Sequence, residues 1–400
     1  MRILLTANAS YLPPRGGATR SNLVWLDHLA RSGHQCRIVC GPSGPAAELR
    51  YHPSIAICAV DDPAQRIRTL RRQVLEFQPD WVLVSSEDLG HGLLREAHHS
   101  ADGRVVYLAH TPQFFPFGPA SWNPDPRAAD LVAQSAAIVA IGAHMAQYIQ
   151  RELGRGAVVI HPPIYGPGPF PDCAHFERGL VTIINPCAVK GISIFEEVAA
   201  RLPGCRFGVV PGWGTTAGDR RSLERLPNIE FLPNARNIDD LISRTRVLLM
   251  PSLWYEGFGL IVMENMLRGI PVVASDAGGL KEAKRGTGYV IPVRTIERYQ
   301  PVFDEYGMPQ PVVPENDPAP WVDAVRDLLG SRDAYQRESA ASRQAAERFV
   351  SSLDAGAMER FLLALRPAAA AHAESGTIES LSPAKRALLL ERLHKLKMGR

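Results

Sequence analysis

Short apolar runs alternate with amphipathic stretches along most of the chain. The runs at 81–85 and 180–184 are too short for helices and are rich in Val, Leu and Ile, which predicts buried parallel strands. Between such runs, apolar residues recur every three to four positions, as they do in a helix predicted over 18–32. Alternation of strand and helix predicts doubly wound α/β domains rather than an all-helical or all-β fold.

A segment dense in proline and glycine, 162–169, divides this pattern into two halves. Each half begins with a strand, a glycine-containing loop and a helix, so the boundary predicts two domains joined by a hinge. The predicted units are an amino-terminal domain at 1–165, a carboxyl-terminal domain at 166–350, a helix at 351–366, and a linker with a tail helix at 367–400.

The stretch 251–279 carries the first candidate chemistry, between strands predicted at 245–250 and 270–274. In the helix predicted between them, Glu264 falls on the same face as Met263 and Leu267. A carboxylate in an apolar stripe needs a hydrogen-bonding partner. A vicinal diol of a ligand would suit it, and a buried ion pair is the alternative.

Glu256 lies eight residues earlier, in a glycine-rich loop that leads into the same helix. The free backbone N–H groups and the dipole of a helix N-terminus favour a phosphate, and a sugar hydroxyl also fits such a turn. Glu256 is therefore a candidate ligand-binding carboxylate. Its alternative role is that of a helix cap.

Two further candidates follow predicted strands at the sheet edge where open α/β sheets bind ligands. His110 comes directly after the strand predicted at 104–109. Lys190 lies in the loop before a helix predicted at 193–202, where a lysine and the helix dipole together suit a pyrophosphate. The aromatic loop that begins at Phe114 and ends at Trp122 either stacks on a ring-bearing acceptor or packs the rim of the domain.

Composition narrows the class of protein. The chain has 400 residues, is 46% hydrophobic and 21% charged, and has no apolar run near the roughly 20 residues that span a bilayer. The six cysteines form no Cys-x-x-Cys pair, which predicts buried thiols in a cytoplasmic protein rather than disulfides or a zinc site. Of the net charge of +3, the basic excess falls in 381–400, so the near-neutral body does not suggest nucleic-acid binding.

The stretch from Pro251 to Glu282 resembles the signature of the retaining family 4 (group 1) glycosyltransferases of the GT-B fold. The matching positions are Glu256, Phe258, Gly259, Glu264, Gly269, Pro271, Ala274, Ser275, Gly278, Gly279 and Glu282. Asn265 stands where the family usually has Ala. The resemblance implies two Rossmann-like domains facing a cleft, with a carboxyl-terminal helix that crosses back onto the first domain.

The resemblance also implies roles for individual residues. The catalytic candidates are Glu256, His110 and Lys190. The donor-binding candidates are Glu264, Gly257, Phe258, Gly259, Leu260, Lys190, Gly191, Gly17, Gly212 and Asn185, and the acceptor-side candidates are Gly16, Phe114, Phe115 and Trp122. The family commonly has an Arg shortly before the Lys-Gly pair, where this chain has Asn185, Pro186 and Cys187, so donor phosphates are expected to be bound differently here.

The implied activity is transfer of a sugar, with retention of configuration, from a nucleotide-diphosphate donor to a small acceptor. No Asp-x-Asp motif occurs, so no metal and no cofactor are expected. A nucleotide-sugar epimerase and a non-catalytic nucleotide-sugar sensor remain alternatives. The tail at 381–397 resembles linker helices of nonribosomal peptide and polyketide synthases, which favours a natural-product acceptor and docking on a megasynthase. Binding to a membrane surface, or no partner at all, is equally compatible with the tail.

Overall fold

The computed structural model describes residues 1–14, 16–42, 52–234 and 237–368. The first half of the described chain forms a seven-stranded parallel sheet with the order β3-β2-β1-β4-β5-β6-β7. Its elements are β1 (Arg2–Thr6), α1 (Gly16–Arg31), β2 (Gln35–Cys40), β3 (Ile55–Ala59), α2 (Pro63–Phe77), β4 (Trp81–Ser85), α3 (Gly92–Ser100), β5 (Val105–Ala109), α4 (Pro126–Gln134), β6 (Ala137–Ala140), α5 (Ala143–Leu153) and β7 (Val158–Val159).

The second half repeats the plan with a six-stranded parallel sheet of order β10-β9-β8-β11-β12-β13. Its elements are β8 (Leu180–Ile184), α6 (Ile192–Arg201), β9 (Phe207–Val210), α7 (Ala217–Leu223), β10 (Ile229–Phe231), α8 (Ile238–Ile242), β11 (Thr245–Met250), α9 (Leu260–Leu267), β12 (Val272–Ser275), α10 (Leu280–Ala283) and β13 (Val290–Ile291). The prediction of two doubly wound α/β domains is confirmed.

Both sheets place their ligand-binding edge in the same topological position. The strand order reverses between β1 and β4 in the first sheet and between β8 and β11 in the second. Open parallel sheets bind ligands at the carboxyl ends of strands beside such a reversal. The loops after β1, β4, β8 and β11 border these reversals, and Lys190 follows β8 and Glu256 follows β11. His110 follows β5, one strand further along the first sheet.

The segment predicted to be irregular, 291–320, contains an antiparallel pair of short strands, β14 (Tyr299–Phe303) and β15 (Pro309–Pro311). The prediction missed this pair because proline cannot donate in a sheet ladder and argues against a central strand. A two-stranded ribbon has only edge strands, so proline is tolerated at its outer positions.

The last helices connect the two halves. They are α11 (Ala319–Gly330), α12 (Arg332–Ser351) and α13 (Ala357–Ala364). In α13, the carbonyl of Leu362 accepts a hydrogen bond of 3.1 Å from the indole N–H of Trp81 in β4. Glu359 of the same helix lies 2.9 Å from the Nε2 atom of His34, which precedes β2. The carboxyl-terminal helix thus contacts the first domain.

In the described ranges, none of the helices has the length and apolar character needed to cross a bilayer. The tail helix predicted at 381–397 lies outside the described residues.

Candidate active site

Lys190, Glu256 and Ser252 form a polar cluster at the carboxyl edge of the second sheet. Glu256 accepts hydrogen bonds from the Lys190 ammonium and from the Ser252 hydroxyl through the same oxygen, Oε1. Only 11% of each charged side chain is exposed, so the pair is largely desolvated. The loops after β8 and β11 bring together two residues that are 66 positions apart in sequence. Glu256 is therefore the partner of a cation, not a helix cap.

An aromatic wall adjoins this pair. The Lys190 ammonium lies 4.4 Å from the centre of the Trp254 ring, a distance that permits a cation–π contact. Trp254 in turn packs 5.6 Å from Trp213 and 6.2 Å from Trp122, measured between ring centres. Trp122 also contacts Phe114 edge to face at 5.2 Å. Because Trp213 is 49% exposed, the wall presents an aromatic surface to solvent beside the charged cluster.

Glu264 forms an ion pair with a residue of the other domain. The Nη2 atom of Arg20, in α1, lies 2.9 Å from Oε1 of Glu264, in α9. Glu264 is almost fully buried, whereas 45% of the Arg20 side chain is exposed. The structure thus supplies a protein partner for this carboxylate, as the alternative interpretation of the sequence foresaw. A diol would bind here by displacing Arg20 or by sharing the carboxylate with it.

His110 approaches the same region from the first domain. Its Nε2 atom lies 2.8 Å from the Asn22 side-chain oxygen, and its Nδ1 atom is buried without a hydrogen-bonding partner in the described part of the chain. Burial lowers the pKa of the His110 imidazole, although the nearby Glu87 carboxylate opposes that effect. The ring is therefore neutral at pH 7.

Two glycines are required by close backbone approach. A Cβ at Gly191 would lie 2.0 Å from the carbonyl oxygen of Pro251, and the φ angle of Gly191 is +75°. A Cβ at Gly257 would lie 2.2 Å from the carbonyl oxygen of His110, across the domain boundary. Any other residue at Gly257 would push His110 away from the Glu256 loop. The glycines thus allow the catalytic candidates of the two domains to come together.

The other backbone candidates lie around the same boundary. A Cβ at Gly17 would meet the side chain of Leu260 at 2.8 Å, so the start of α1 packs on the start of α9. Gly259, directly before α9, has a φ angle of +105°, and Gly16 has one of +85°. All four residues stand near the facing helix N-termini, where backbone N–H groups are available to an anion.

Asn185 supports a loop of the second domain. Its side-chain oxygen accepts a hydrogen bond of 2.8 Å from the backbone N–H of Gly214. A Cβ at Gly212 would come within 2.7 Å of three atoms of the Asn185 side chain, so the loop and the asparagine are closely packed. Asn185 therefore positions the loop that carries Trp213. Its Nδ2 atom is buried and has no partner among the described residues.

Two aromatic candidates are corrected by their packing. Phe115 is fully buried and contacts Tyr107 and Phe117 in the core of the first domain, so its ring has no surface to offer an acceptor. Phe258 is 3% exposed and stacks on Phe349 of α12, which leaves only its backbone for a donor. A Phe at the start of a loop gives no sign in the sequence of whether its ring points inward.

Sequence reasoning missed Arg20, Ser252 and Trp254. Arg20 lies three positions after Gly17 in α1 and hence on the same helix face, and that spacing was the available signal for it. Ser252 and Trp254 lie in the non-helical segment between β11 and α9, where sequence spacing does not predict which side chains meet. For metals, the described residues contain no group of three or more His, Cys, Asp or Glu side chains that is placed to hold an ion.

Two family models match the chain, one in each domain. The model described as "Glycosyltransferase Family 4" matches residues 15–165, and the model described as "Glycosyl transferases group 1" matches residues 184–331. Together the two matches cover most of the chain. The second match contains Lys190, Glu256 and Glu264.

Among curated proteins, the chain is 30% identical over 122 residues to the lipopolysaccharide core biosynthesis mannosyltransferase LpsB of Rhizobium meliloti. That alignment covers 26% of the chain and 33% of LpsB. The chain is also 25% identical over 256 residues to a D-inositol 3-phosphate glycosyltransferase of Mycolicibacterium paratuberculosis, covering 61% of the chain and 48% of that protein. The alignments thus span half or less of each relative's length.

Solved structures match more of the chain at lower identity. A sucrose-phosphate synthase from Thermosynechococcus elongatus superposes with a TM-score of 0.69 at 14% identity, covering 91% of this chain and 99% of that one. HepE of Anabaena, solved in complex with UDP-glucose, gives a TM-score of 0.65 at 15% identity, with coverage of 91% and 98%. Such likeness shows the GT-B fold. With a family 4 domain in its first half and a group 1 domain in its second, the chain belongs to the group 1 glycosyltransferases.

Proposed function

We propose that the protein transfers a sugar from a nucleotide-diphosphate donor to a small-molecule acceptor, with retention of anomeric configuration. The observation that carries the proposal is the desolvated Lys190–Glu256 pair, which lies in the second domain where its sheet order reverses. HepE, which has the same fold, was solved with UDP-glucose. A nucleotide sugar is therefore the donor class to test first.

In the proposed mechanism, binding of the donor splits the Lys190–Glu256 pair. The diphosphate attracts the Lys190 ammonium and the N–H groups at the start of α6, and these groups stabilise the negative charge on the leaving group. Glu256 then faces the transferred sugar, where a carboxylate stabilises the positive charge that develops as the bond to phosphate lengthens. Both groups thus stabilise charge that develops in the transition state.

Glu264 is assigned to the two ribose hydroxyls of the donor, and the surface formed by Phe114, Trp122 and Trp213 to the acceptor. The aromatic surface suits an acceptor with a flat or apolar face. A peptide or polyketide natural product has that character, and the proposed docking of the tail on a megasynthase points to the same class. The charge of the leaving diphosphate is balanced in this proposal by protein groups.

The test is thermal-shift binding with UDP, GDP and dTDP sugars on the wild type, on Glu264→Ala and on Glu297→Ala. Glu297 is an exposed carboxylate and serves as the matched control. At about 100 times Kd, a bound donor adds roughly 2.7 kcal/mol of stability. We expect one nucleotide class to stabilise the wild type and the control but not Glu264→Ala. If no nucleotide sugar stabilises the wild type, the proposal is wrong.

A second measurement separates transfer from its alternatives. After the donor is identified, its fate is followed by NMR with and without a panel of acceptors. Transfer requires an acceptor and gives an α-linked product from an α-linked donor. Conversion of the donor sugar without an acceptor would indicate an epimerase, and a donor that stays intact under all conditions would indicate a sensor.

A further inference from the structure

The two ring nitrogens of His110 are in different situations. The Nε2 atom has a partner at 2.8 Å, the side-chain oxygen of Asn22, whereas Nδ1 is buried with no partner among the described residues. Burial lowers the pKa of this imidazole, so only one nitrogen carries a proton at pH 7. If Nε2 carries that proton, Nδ1 offers a lone pair to a ligand. If Nδ1 carries it, Nδ1 offers an N–H donor instead.

The hydrogen bonds around Glu87 show which acceptor receives the hydroxyl proton of Ser85. Glu87 follows β4, and its carboxylate lies 2.5 Å from the Ser85 hydroxyl and 3.1 Å from the Thr111 hydroxyl. An ionised carboxylate can only accept. The single hydroxyl proton of Ser85 is therefore used in the bond to Glu87, and the Ser85 oxygen has only lone pairs left for other neighbours.

The orientation of the Asn22 amide follows from Ser85. The Nδ2 atom of Asn22 lies 3.1 Å from the Ser85 oxygen and 2.8 Å from the Tyr11 hydroxyl oxygen. The Tyr11 hydroxyl is also hydrogen-bonded to Ser85, and because the Ser85 proton goes to Glu87, Tyr11 is the donor of that bond. A flipped amide would therefore place its oxygen against lone pairs of both Ser85 and Tyr11, where no proton remains to be shared. The amide oxygen must then face His110, and because an amide oxygen only accepts, the Nε2 atom of His110 carries the proton.

We propose that Asn22 is a positioning residue that holds His110 as the Nε2-protonated tautomer, so that Nδ1 offers a lone pair to a hydroxyl of the donor sugar. The backbone carbonyl of His110 lies against Gly257, the residue after Glu256. The backbone of His110 therefore adjoins the loop to which the transferred sugar is assigned, and its ring lies against α1, 2.8 Å from the Asn22 oxygen and 6.0 Å from the centre of the Trp25 ring. This inference rests on the proposed function for its ligand, but the tautomer itself is a property of the empty protein.

The first experiment reads the tautomer without any ligand. In ¹⁵N NMR spectra of the full-length protein, protonated and unprotonated imidazole nitrogens have widely separated shifts, and comparison with His110→Gln identifies the signals of His110. We expect an unprotonated Nδ1 in the wild type. In Asn22→Leu, which has a similar volume but no amide, we expect a mixture of tautomers. A protonated Nδ1 in the wild type, or an unchanged spectrum in Asn22→Leu, overturns the proposal.

The second experiment uses UDP-glucose and UDP as calorimetric probes. UDP lacks the transferred glucose, so loss of the tautomer should leave its Kd unchanged. UDP-glucose should bind about tenfold more weakly to Asn22→Leu, because one buried hydrogen bond is lost. Ser85→Ala, which frees the amide to flip, should give the same selective loss and replaces Asn22→Leu if that variant does not fold. Equal weakening of both probes would show a merely structural role and overturn the proposal.

The two experiments also separate this inference from the proposed function. If neither UDP nor UDP-glucose binds the wild type, UDP sugars are excluded as donors, and the same comparison is made with GDP and GDP-mannose. If neither pair binds and no dTDP sugar binds, the proposed function fails, and the tautomer result still stands or falls on the NMR spectra alone.

Discussion

At the scale of single residues, the charged side chains of the candidate site form ion pairs with one another. Lys190 and Glu256 pair with each other, and Arg20 pairs with Glu264. A desolvated charge without a partner costs several kcal/mol, so an empty site must satisfy its own charges. A donor that carries both a diphosphate and a diol offers a replacement partner to each pair. The resting contacts are thus the ones that a donor is suited to exchange.

A half-buried histidine outside the site, His98, predicts how stability depends on pH. Burial lowers the pKa of His98 in α3 from 6.5 to about 4, and its Nε2 atom lies 3.1 Å from the Ser135 hydroxyl. Below pH 6.5, His98 takes up a proton in the unfolded chain but stays neutral in the folded protein. The free energy of unfolding therefore decreases as pH falls. Between pH 7.5 and 5.5 this one residue should lower the free energy of unfolding by about 1.4 kcal/mol.

Urea denaturation at pH 7.5, 6.5 and 5.5 measures this effect. His98→Gln keeps a polar partner for Ser135 but does not titrate, so its stability should fall less over the same range. The other histidines whose pKa is lowered by desolvation are His110, His144 and His161. They act in the same direction in both proteins and cancel in the comparison. Identical pH dependence in the two proteins would contradict the assignment.

The residue scale is also where sequence reasoning was weakest. That Glu264 is buried followed from helical periodicity, but its partner Arg20 is 244 positions away and comes from another domain. Periodicity reports which face of an element is buried, not which residue covers it. The same limit applies to Lys190 and Glu256, which were both identified as candidates but not as a pair.

At the scale of elements, α5 shows how one helix of the first domain depends on the second domain. The carboxylate of Glu282, in α10, accepts hydrogen bonds from the N–H groups of Ala143 and His144 at 2.9 and 2.8 Å. The N-cap residue of α5 is Gly142, which has no side chain to supply a cap. Glu282 of the second domain therefore caps α5 of the first domain. Its negative charge also interacts favourably with the positive, N-terminal end of the helix dipole.

Replacement of Glu282 by Ala should lower the free energy of unfolding by about 1–2 kcal/mol, because two helix N–H groups lose their acceptor. Glu282→Gln keeps an acceptor without the charge and should lose less. Both are compared by urea denaturation with Glu297→Ala, which removes an exposed carboxylate. Equal stability of Glu282→Ala and Glu297→Ala would show that the cap contributes nothing.

Most elements were predictable because their patterns are local. The strands at 81–85, 180–184 and 245–250 have the bounds that their apolar runs predict. The ribbon of β14 and β15 was not predictable, since prolines at both ends of β15 mask a strand whose only partner is another edge. Local pattern therefore gave the two sheets, and it failed where a strand pairs outside them.

At the scale of the whole molecule, the two domains meet through contacts that come from the candidate site itself. His110 touches Gly257, Gly17 touches Leu260, and Arg20 pairs with Glu264. Each contact joins a residue assigned to one side of the cleft with a residue of the donor-binding loop or helix. The contacts between the domains and the geometry of the candidate site are therefore coupled, and a ligand that changes one of these contacts changes the stability of this domain arrangement.

Substitutions in the Arg20–Glu264 pair test whether this contact between the domains competes with donor binding. Glu264 is only 6% exposed, so removal of Arg20 leaves a desolvated carboxylate without its partner, and Arg20→Ala should lower the free energy of unfolding of the protein without donor. The same carboxylate is the one that the donor ribose is proposed to use, so Arg20→Ala should bind the donor up to about fivefold more tightly, because no ion pair has to be exchanged.

Calorimetric titration with UDP-glucose measures this difference, with Arg72→Ala as the control for loss of an exposed arginine that has only a weak partner, Glu76, at 4.0 Å. Glu264→Ala should change affinity in the opposite direction, since it removes the acceptor of the ribose hydroxyls. If Arg20→Ala strengthens donor binding and Glu264→Ala weakens it, Arg20 competes with the donor for Glu264. If Arg20→Ala weakens binding as Glu264→Ala does, Arg20 contacts the donor, most simply its diphosphate, and the pair is a shared binding element instead.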